Sequence, residues 1–331
     1  MQTFLTKFNQ WLNRYMFVMV TAGIAVGFFI PLINSPLISA LATGLFAYMT
    51  FMSALRTTFQ DVVRILTKPL VPLWSMFLIH GISPLVAWGV GLWIYPDNFY
   101  MRLGLLLGST IPIAVTSVIW TTIANGDIAL ALVTVTLDTL LIPILFPAFF
   151  IIILGTSIAI DYGNMVLRLL LMVTIPSILG MVINEITKGR LENFSVSVGG
   201  VTSKIASFFV VFLNSAVVLP NIKWDISAVK MMIVVVGLVS ANYLIGFCGS
   251  YLLKDRRQEV VTAMIFNVGM RNTGFGSVIA ISYFPATVAL PIVLTLLFQQ
   301  PIAAVVSKAI MKFNHQDRII RPEEGTLTRS S

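Results

Sequence analysis

The chain has 331 residues, of which 57% are hydrophobic and only 10% charged, against about 25% charged in an ordinary soluble domain. Its formal net charge of +8 is concentrated in short connections between apolar runs, an arrangement of topology control and not of a face that reads a nucleic-acid backbone. The single cysteine, Cys248, excludes an internal disulfide, and with no histidine–cysteine set at zinc spacing no metal or cofactor is expected.

The opening stretch MQTFLTKFNQWLNRY lacks an apolar core followed by a small-residue cleavage site, so it reads as a short amphipathic approach to a first span and not as a removable signal. Ten apolar runs follow, at about 15–34, 36–55, 70–94, 101–123, 128–157, 164–185, 197–219, 228–252, 259–281 and 286–310. Each is close to the roughly 20 residues that cross the hydrocarbon core as a helix. Pro31 and Pro36 mark the turn between the first two, since proline has no N–H for a helix interior. From about residue 313 the chain turns polar and reads as a flexible cytoplasmic tail, 313–331.

The basic residues set an orientation. With the N-terminus in the cytoplasm, the inner connections hold Arg56, Arg64, Lys68, Lys188, Arg190, Lys254, Arg256 and Arg257, and the inner termini add Lys7, Arg14, Lys312, Arg318, Arg321 and Arg329. The outer side receives only Arg102, Arg168, Lys223 and Lys230. This bias places both termini in the cytoplasm of a multi-pass membrane protein.

Ten spans divide into two halves of five, 1–157 and 158–312. The odd number forces the second half to run the opposite way, so homologous halves would be inverted repeats. The fourth run carries STIPIAVTSVIWTTIANGD, broken by Pro112 and polar residues, and the ninth carries NVGMRNTGFG, broken by glycines. Interruptions at matching positions of two halves point to a midplane binding site in a transporter. Backbone groups freed at that depth must face a cavity or a ligand, because they cannot face lipid.

The candidate residues follow from cost. Arg271 lies mid-span, where a cation is expensive, and three readings stand: a group that binds an anion, a built-in charge that replaces a bound cation, or half of a structural ion pair. Asp138, in ALVTVTLDTLLIPILFP, is the acid at membrane depth; it is a proton carrier or is held ionised by Arg271. His80, in MFLIHGISPLVAW, is a second proton candidate or a neutral hydrogen-bonded histidine. Thr116, Ser117, Asn267 and Asn272 are candidate polar contacts for a substrate, and Trp120 either lines that substrate or packs. Thr134, Thr136 and Thr139 can bond to the carbonyl one turn back. No P-loop or serine elbow occurs, so the chain does not read as an enzyme.

Three stretches resemble the bile acid:sodium symporter family: TTIANGDIALALVTVTLDTLLIPILFP its crossing segment and fifth helix, NVGMRNTGFGSVIAISYFPATVALPIVL its ninth and tenth, and FLIHGISPLVAWGVGLW its third. The resemblance covers nearly the whole chain. It implies an all-α polytopic fold of ten transmembrane helices in two inverted five-helix repeats, with broken fourth and ninth helices that cross. It also implies a core domain, a panel domain that moves against it, and organic anions carried with sodium bound at two sites beside the crossing. Residue by residue, the family's sodium-binding glutamate falls on Asn267 and its glutamine on Arg271. Its serine–asparagine pair falls on Ser117 and Val118, its fifth-helix hydroxyls on Ala131 and Val135, and its third-helix glutamine near Ile79.

All these changes but Ser117 remove a hard oxygen ligand, and one installs a cation. The reading is therefore a secondary transporter of a small organic anion by alternating access, independent of sodium, with a proton as the candidate coupling species and Asp138 and His80 as its carriers. Three alternatives stay open: an ordinary sodium:organic anion symporter, an exporter of a weak acid or oxyanion, and a receptor that binds without transporting.

Overall fold

The computed structural model describes residues 7–9, 11–12, 15–60, 63, 69–154, 161–221 and 225–320. Among them every regular element is helical: α1 (Met16–Phe29), α2 (Pro36–Ala54), α3 (Leu70–Ile94), α4 (Phe99–Thr110), α5 (Thr116–Ile123), α6 (Ile128–Leu154), α7 (Gly163–Ile186), α8 (Glu192–Val218), α9 (Ile226–Ser250), α10 (Gln258–Gly269), α11 (Thr273–Tyr283) and α12 (Ala286–Ile320). Among the described residues seven helices, α2, α3, α6, α7, α8, α9 and α12, are long and apolar enough to cross a membrane, and α1 and α11 contain shorter apolar stretches. The chain is an all-helical polytopic membrane protein. Where the polar end was expected to begin, near 313, α12 continues to Ile320. The division of the halves at 157/158, the basic residues Arg14, Arg64, Lys68, Lys223, Arg321 and Arg329, and the rest of the tail lie outside the described residues.

The helix starts are written in the sequence. Ser35 accepts from the Ile38 N–H ahead of Pro36, Asn98 from Met101, and Asp225 from Ser227 and Ala228, each side chain satisfying N–H groups the helix leaves open. Asp161 does the same before α7, and its bonds from the Asn164 backbone and side chain hold its carboxyl below the usual range.

Two of the long helices widen into a π turn just before a proline: Leu78–Ile82 before Pro84 in α3, and Leu170–Thr174 before Pro176 in α7. The proline ring would clash with the carbonyl four residues back, and the wider turn relieves this. In α3 the Ser83 N–H donates to Leu78, and Pro84 has no N–H to offer the next carbonyl, that of Ile79. That carbonyl is left for another donor.

The helices form two packed groups. α1, α2, α7 and α8 pack on one another, and α3–α6 pack with α9–α12. The groups meet where α11 lies against α2 and α8, α12 against α8 and α1, and α6 against α7. Aromatic rings fill part of this seam: Phe275 of α11 lies 5.8 Å from Phe46 of α2 and 6.1 Å from Phe146 of α6. Phe146 stacks on Phe150, which reaches Phe284 at 6.1 Å.

Inside the second group the backbones approach closely at glycine. A Cβ on Gly104 would lie 2.6 Å from the Val288 carbonyl and 2.9 Å from the Pro291 ring of α12. Small residues allow such contact between membrane helices. Gly104→Val is expected to cost about 1–3 kcal/mol through overpacking and to lower the melting temperature in detergent. Gly44→Ala, with nothing within 4 Å, serves as the control. Equal melting of both variants would contradict the close packing of α4 on α12.

Candidate functional site

The two helix breaks meet. The chain between α4 and α5 and the chain between α10 and α11 are extended, and Ile113 pairs with Arg271 in an antiparallel bridge. The Ala114 N–H donates to the Met270 carbonyl at 3.1 Å, and the Asn272 N–H to the Pro112 carbonyl at 2.7 Å. Pro112 suits this segment, since it contributes only its carbonyl.

Side chains from neighbouring helices hold the remaining backbone groups of the crossing. Gln299 of α12 clamps Arg271 at two points: its Oε1 accepts from the Arg271 N–H at 2.8 Å and its Nε2 donates to the Arg271 carbonyl at 3.0 Å. Asp138 of α6 accepts the Ile113 N–H at Oδ2, 2.5 Å away. Its other oxygen lies 2.6 Å from His80 Nε2. These contacts satisfy groups that have no water to turn to.

Arg271 is 2% exposed. Its Nη2 donates to the Ile79 carbonyl at 3.3 Å, the one left over by the α3 π turn, while Nε and Nη1 have no partner. Among the described residues no carboxylate lies within salt-bridge distance of it, although the charge of Asp138 acts on it. The direct Asp138–Arg271 pair, one of the readings above, is therefore absent. The two opposite charges sit on either side of the same bridge, Asp138 bound to Ile113 and Arg271 facing α3.

The other sequence candidates divide into two sets. Ser117 and Asn267 are fully buried and bonded to each other at 3.1 Å, joining α5 to α10, with Asn267 Nδ2 unpartnered. Thr116 and Asn272 are half-buried. Asn272 caps α11 by accepting from Phe275, and a Cβ on Gly274 beside it would lie 3.9 Å from Phe46 and Val210 of the other helix group. Asn272 Oδ1 thus lies near the seam, while the Arg271 guanidinium reaches Ile79 of α3.

Trp120 donates to Gln300 at 2.8 Å and stacks on Phe266, and Gln300 Nε2 reaches the Thr116 hydroxyl at 3.4 Å. Thr134, Thr136 and Thr139 each donate to the carbonyl four residues back. Sequence reasoning missed Gln299 and Gln300. The signal was present in FQQP, two amides side by side in an apolar helix.

Two cavities bear on function. One, of about 450 Å³, opens between the α1–α2 loop and the α11–α12 turn, with Leu32, Asn34, Val217, Ile281 and Phe284 among its walls. That is the size of a small-ligand pocket, yet its walls are mostly apolar and it holds no charged residue. The Asn34 side chain crosses beside it to the Ile281 carbonyl at 2.7 Å. The other, of about 30 Å³, borders Arg271 itself.

The sequence profile described as the Sodium Bile acid symporter family matches residues 42–245. A Bacillus subtilis (strain 168) protein named "Uncharacterized protein YbaS" is 33% identical over 270 residues, 81% of this chain and 88% of the relative. Another from the same organism, named "Uncharacterized sodium-dependent transporter YocS", is 24% identical over 290 residues, 87% of this chain and 88% of the relative. The crossed, interrupted helices and these matches agree: the chain belongs to the sodium bile acid symporter family of membrane transporters.

Proposed function

We propose that this transporter carries a small organic anion by alternating access, independently of sodium, with a proton as coupling species. One observation carries the reading: the N-termini of α5 and α11 both emerge from the crossing beside a buried arginine that, among the described residues, has no carboxylate within salt-bridge distance. Helix N-termini carry positive potential and free N–H groups, and Arg271 adds a full charge to them. Thr116 and Asn272 offer polar contacts towards the seam; Ser117 and Asn267 brace the crossing behind them. The half-helix pairs α4/α5 and α10/α11 each make one crossing of the bilayer, which gives ten spans in two inverted repeats with both termini in the cytoplasm.

Sodium has little to bind here. Ala131 and Val135 are buried and apolar, and the Ile79 carbonyl is taken by the guanidinium. At 4 Å a guanidinium repels a sodium ion by about 4 kcal/mol at an effective dielectric of 20, close to a thousandfold in affinity. The proton has a place. The crossing holds Arg271 and Asp138, nearly neutral together, and a proton taken up by the His80–Asp138 pair leaves it net positive. Anion and proton then favour each other's binding by the same factor.

The family and the printed name of YocS favour a second reading, ordinary sodium symport. Efflux of candidate carboxylates from proteoliposomes separates the two. Flux in sodium-free potassium buffer that rises as pH falls is the expected result; flux that appears only with sodium would establish the second reading. Asn272→Ser, which keeps a capping hydroxyl and removes the amide, is expected to raise the half-saturating anion concentration about tenfold through one lost charge-assisted hydrogen bond. An unchanged value would remove Asn272 from the substrate contacts.

A further inference from the structure

The small cavity behind the crossing belongs entirely to one helix group. It is lined by α4, α9 and α12 and by Gly269 and Arg271 at the break, with no residue from α1, α2, α7 or α8. Its volume is about 30 Å³, where roughly 10–15 Å³ of such space holds one water. A carboxylate with an extended carbon skeleton does not fit. A single water or a monatomic ion does.

The charge of the lining decides between them. Arginine stays protonated in proteins, and a buried cation needs its N–H groups satisfied or an opposite charge beside it. Arg271 is almost wholly buried, and its Nε and Nη1 are unpartnered. Asp138 does not supply them: its oxygens lie on His80 and Ile113, and among the described residues no carboxylate is within salt-bridge distance of the guanidinium. Asn242 of α9 lines the same space, and its side chain makes no hydrogen bond among the described residues. Gln299 also lines it, its amide engaged in the clamp on Arg271; Ser109 and Thr295 complete the polar lining. Each donates to a helix carbonyl one turn back, Leu106 and Pro291, and such a hydroxyl proton can swing to a ligand. No acid lines the cavity, and the rest of the wall is apolar. Donors without acceptor charge, in a low-dielectric space of ionic size, suit an anion better than a water, which would bring two protons of its own.

We propose that this cavity is a binding site for a halide ion, held by Arg271 and Asn242 inside the helix group and separate from the organic-anion contacts on the seam. The proposal does not depend on transport. A halide can occupy the cavity whether the protein carries organic anions with protons, with sodium or not at all.

The test uses the purified full chain. Crystals grown in bromide are expected to show an anomalous peak between Arg271 and Asn242. The melting temperature is expected to rise saturably as chloride or bromide replaces gluconate at constant ionic strength, by binding to the native state. Asn242→Leu, which fills the space and removes the free amide, is expected to raise the half-saturating halide concentration about tenfold or more. An empty or water-filled cavity with no anomalous signal overturns the proposal. So does halide stabilisation that persists unchanged in Asn242→Leu, which would place the ion elsewhere. If Asn242→Leu fails to fold, the anomalous map of the wild-type protein decides alone.

Discussion

Asp138→Ala is expected to be among the most damaging single changes in this chain. Three groups depend on that carboxylate: the Ile113 N–H at 2.5 Å, His80 at 2.6 Å, and the charge of Arg271. Removing it leaves an N–H unsatisfied at the crossing and a buried cation without compensation. Breaking one side of a buried charge arrangement typically costs about 3–5 kcal/mol, a large share of the stability of any domain. Thermal melting and gel filtration in detergent are expected to show a much destabilised protein. Asp138→Asn separates charge from geometry. Its amide oxygen can still accept from Ile113 and its NH₂ can donate to neutral His80, so it is expected to fold and to lose the pH dependence of anion binding. Near-wild-type melting of Asp138→Ala would mean that the Ile113 contact does not hold the crossing.

Arg271→Met is the second large effect, and it acts on affinity more than on fold. Methionine approximates the length of the side chain while removing its charge and donors. The Ile79 carbonyl loses its partner, and the positive potential at the crossing falls to that of two helix ends, each worth a fraction of a charge. Organic-anion binding is expected to weaken by about 100-fold, close to 3 kcal/mol. Arg271→Lys is expected to recover only part of this, because an ammonium lacks the planar fork that fixes the charge against the Ile79 carbonyl. Unchanged binding in Arg271→Met would reduce the arginine to a structural cation.

Much of this site was legible in the sequence, for reasons that differ by residue. Pro112 and the glycines of NVGMRNTGFG announce broken helices because they violate the local rule for an apolar span, and the structure breaks at both places. Arg271 and Asp138 stand out because charge at membrane depth is costly wherever it points. What the sequence did not carry is which faces meet. His80 and Asp138 are 58 residues apart, and nothing in either stretch says that a π turn rotates His80 towards α6. The π turn itself has a visible cause in Pro84, but its consequence, a carbonyl left over for Arg271, depends on where α10 ends. Gln299 is harder still. An amide in an apolar helix looks the same whether it bonds its own helix or clamps another backbone at two points. Hydropathy reports the cost of a group in lipid and is silent about the partner that offsets it.

The central claim is that fixed internal charge at the crossing, and not a bound sodium ion, prepares this transporter for an organic anion. The most direct measurement is a thermal-shift screen of small carboxylates on the detergent-purified protein, at pH 5.5 and 7.5, in sodium or potassium at constant chloride, with Arg271→Gln in parallel. The account predicts a carboxylate that raises the melting temperature equally in both salts, more at the lower pH, and not in the variant. Stabilisation that requires sodium would contradict it and return the protein to sodium-coupled symport.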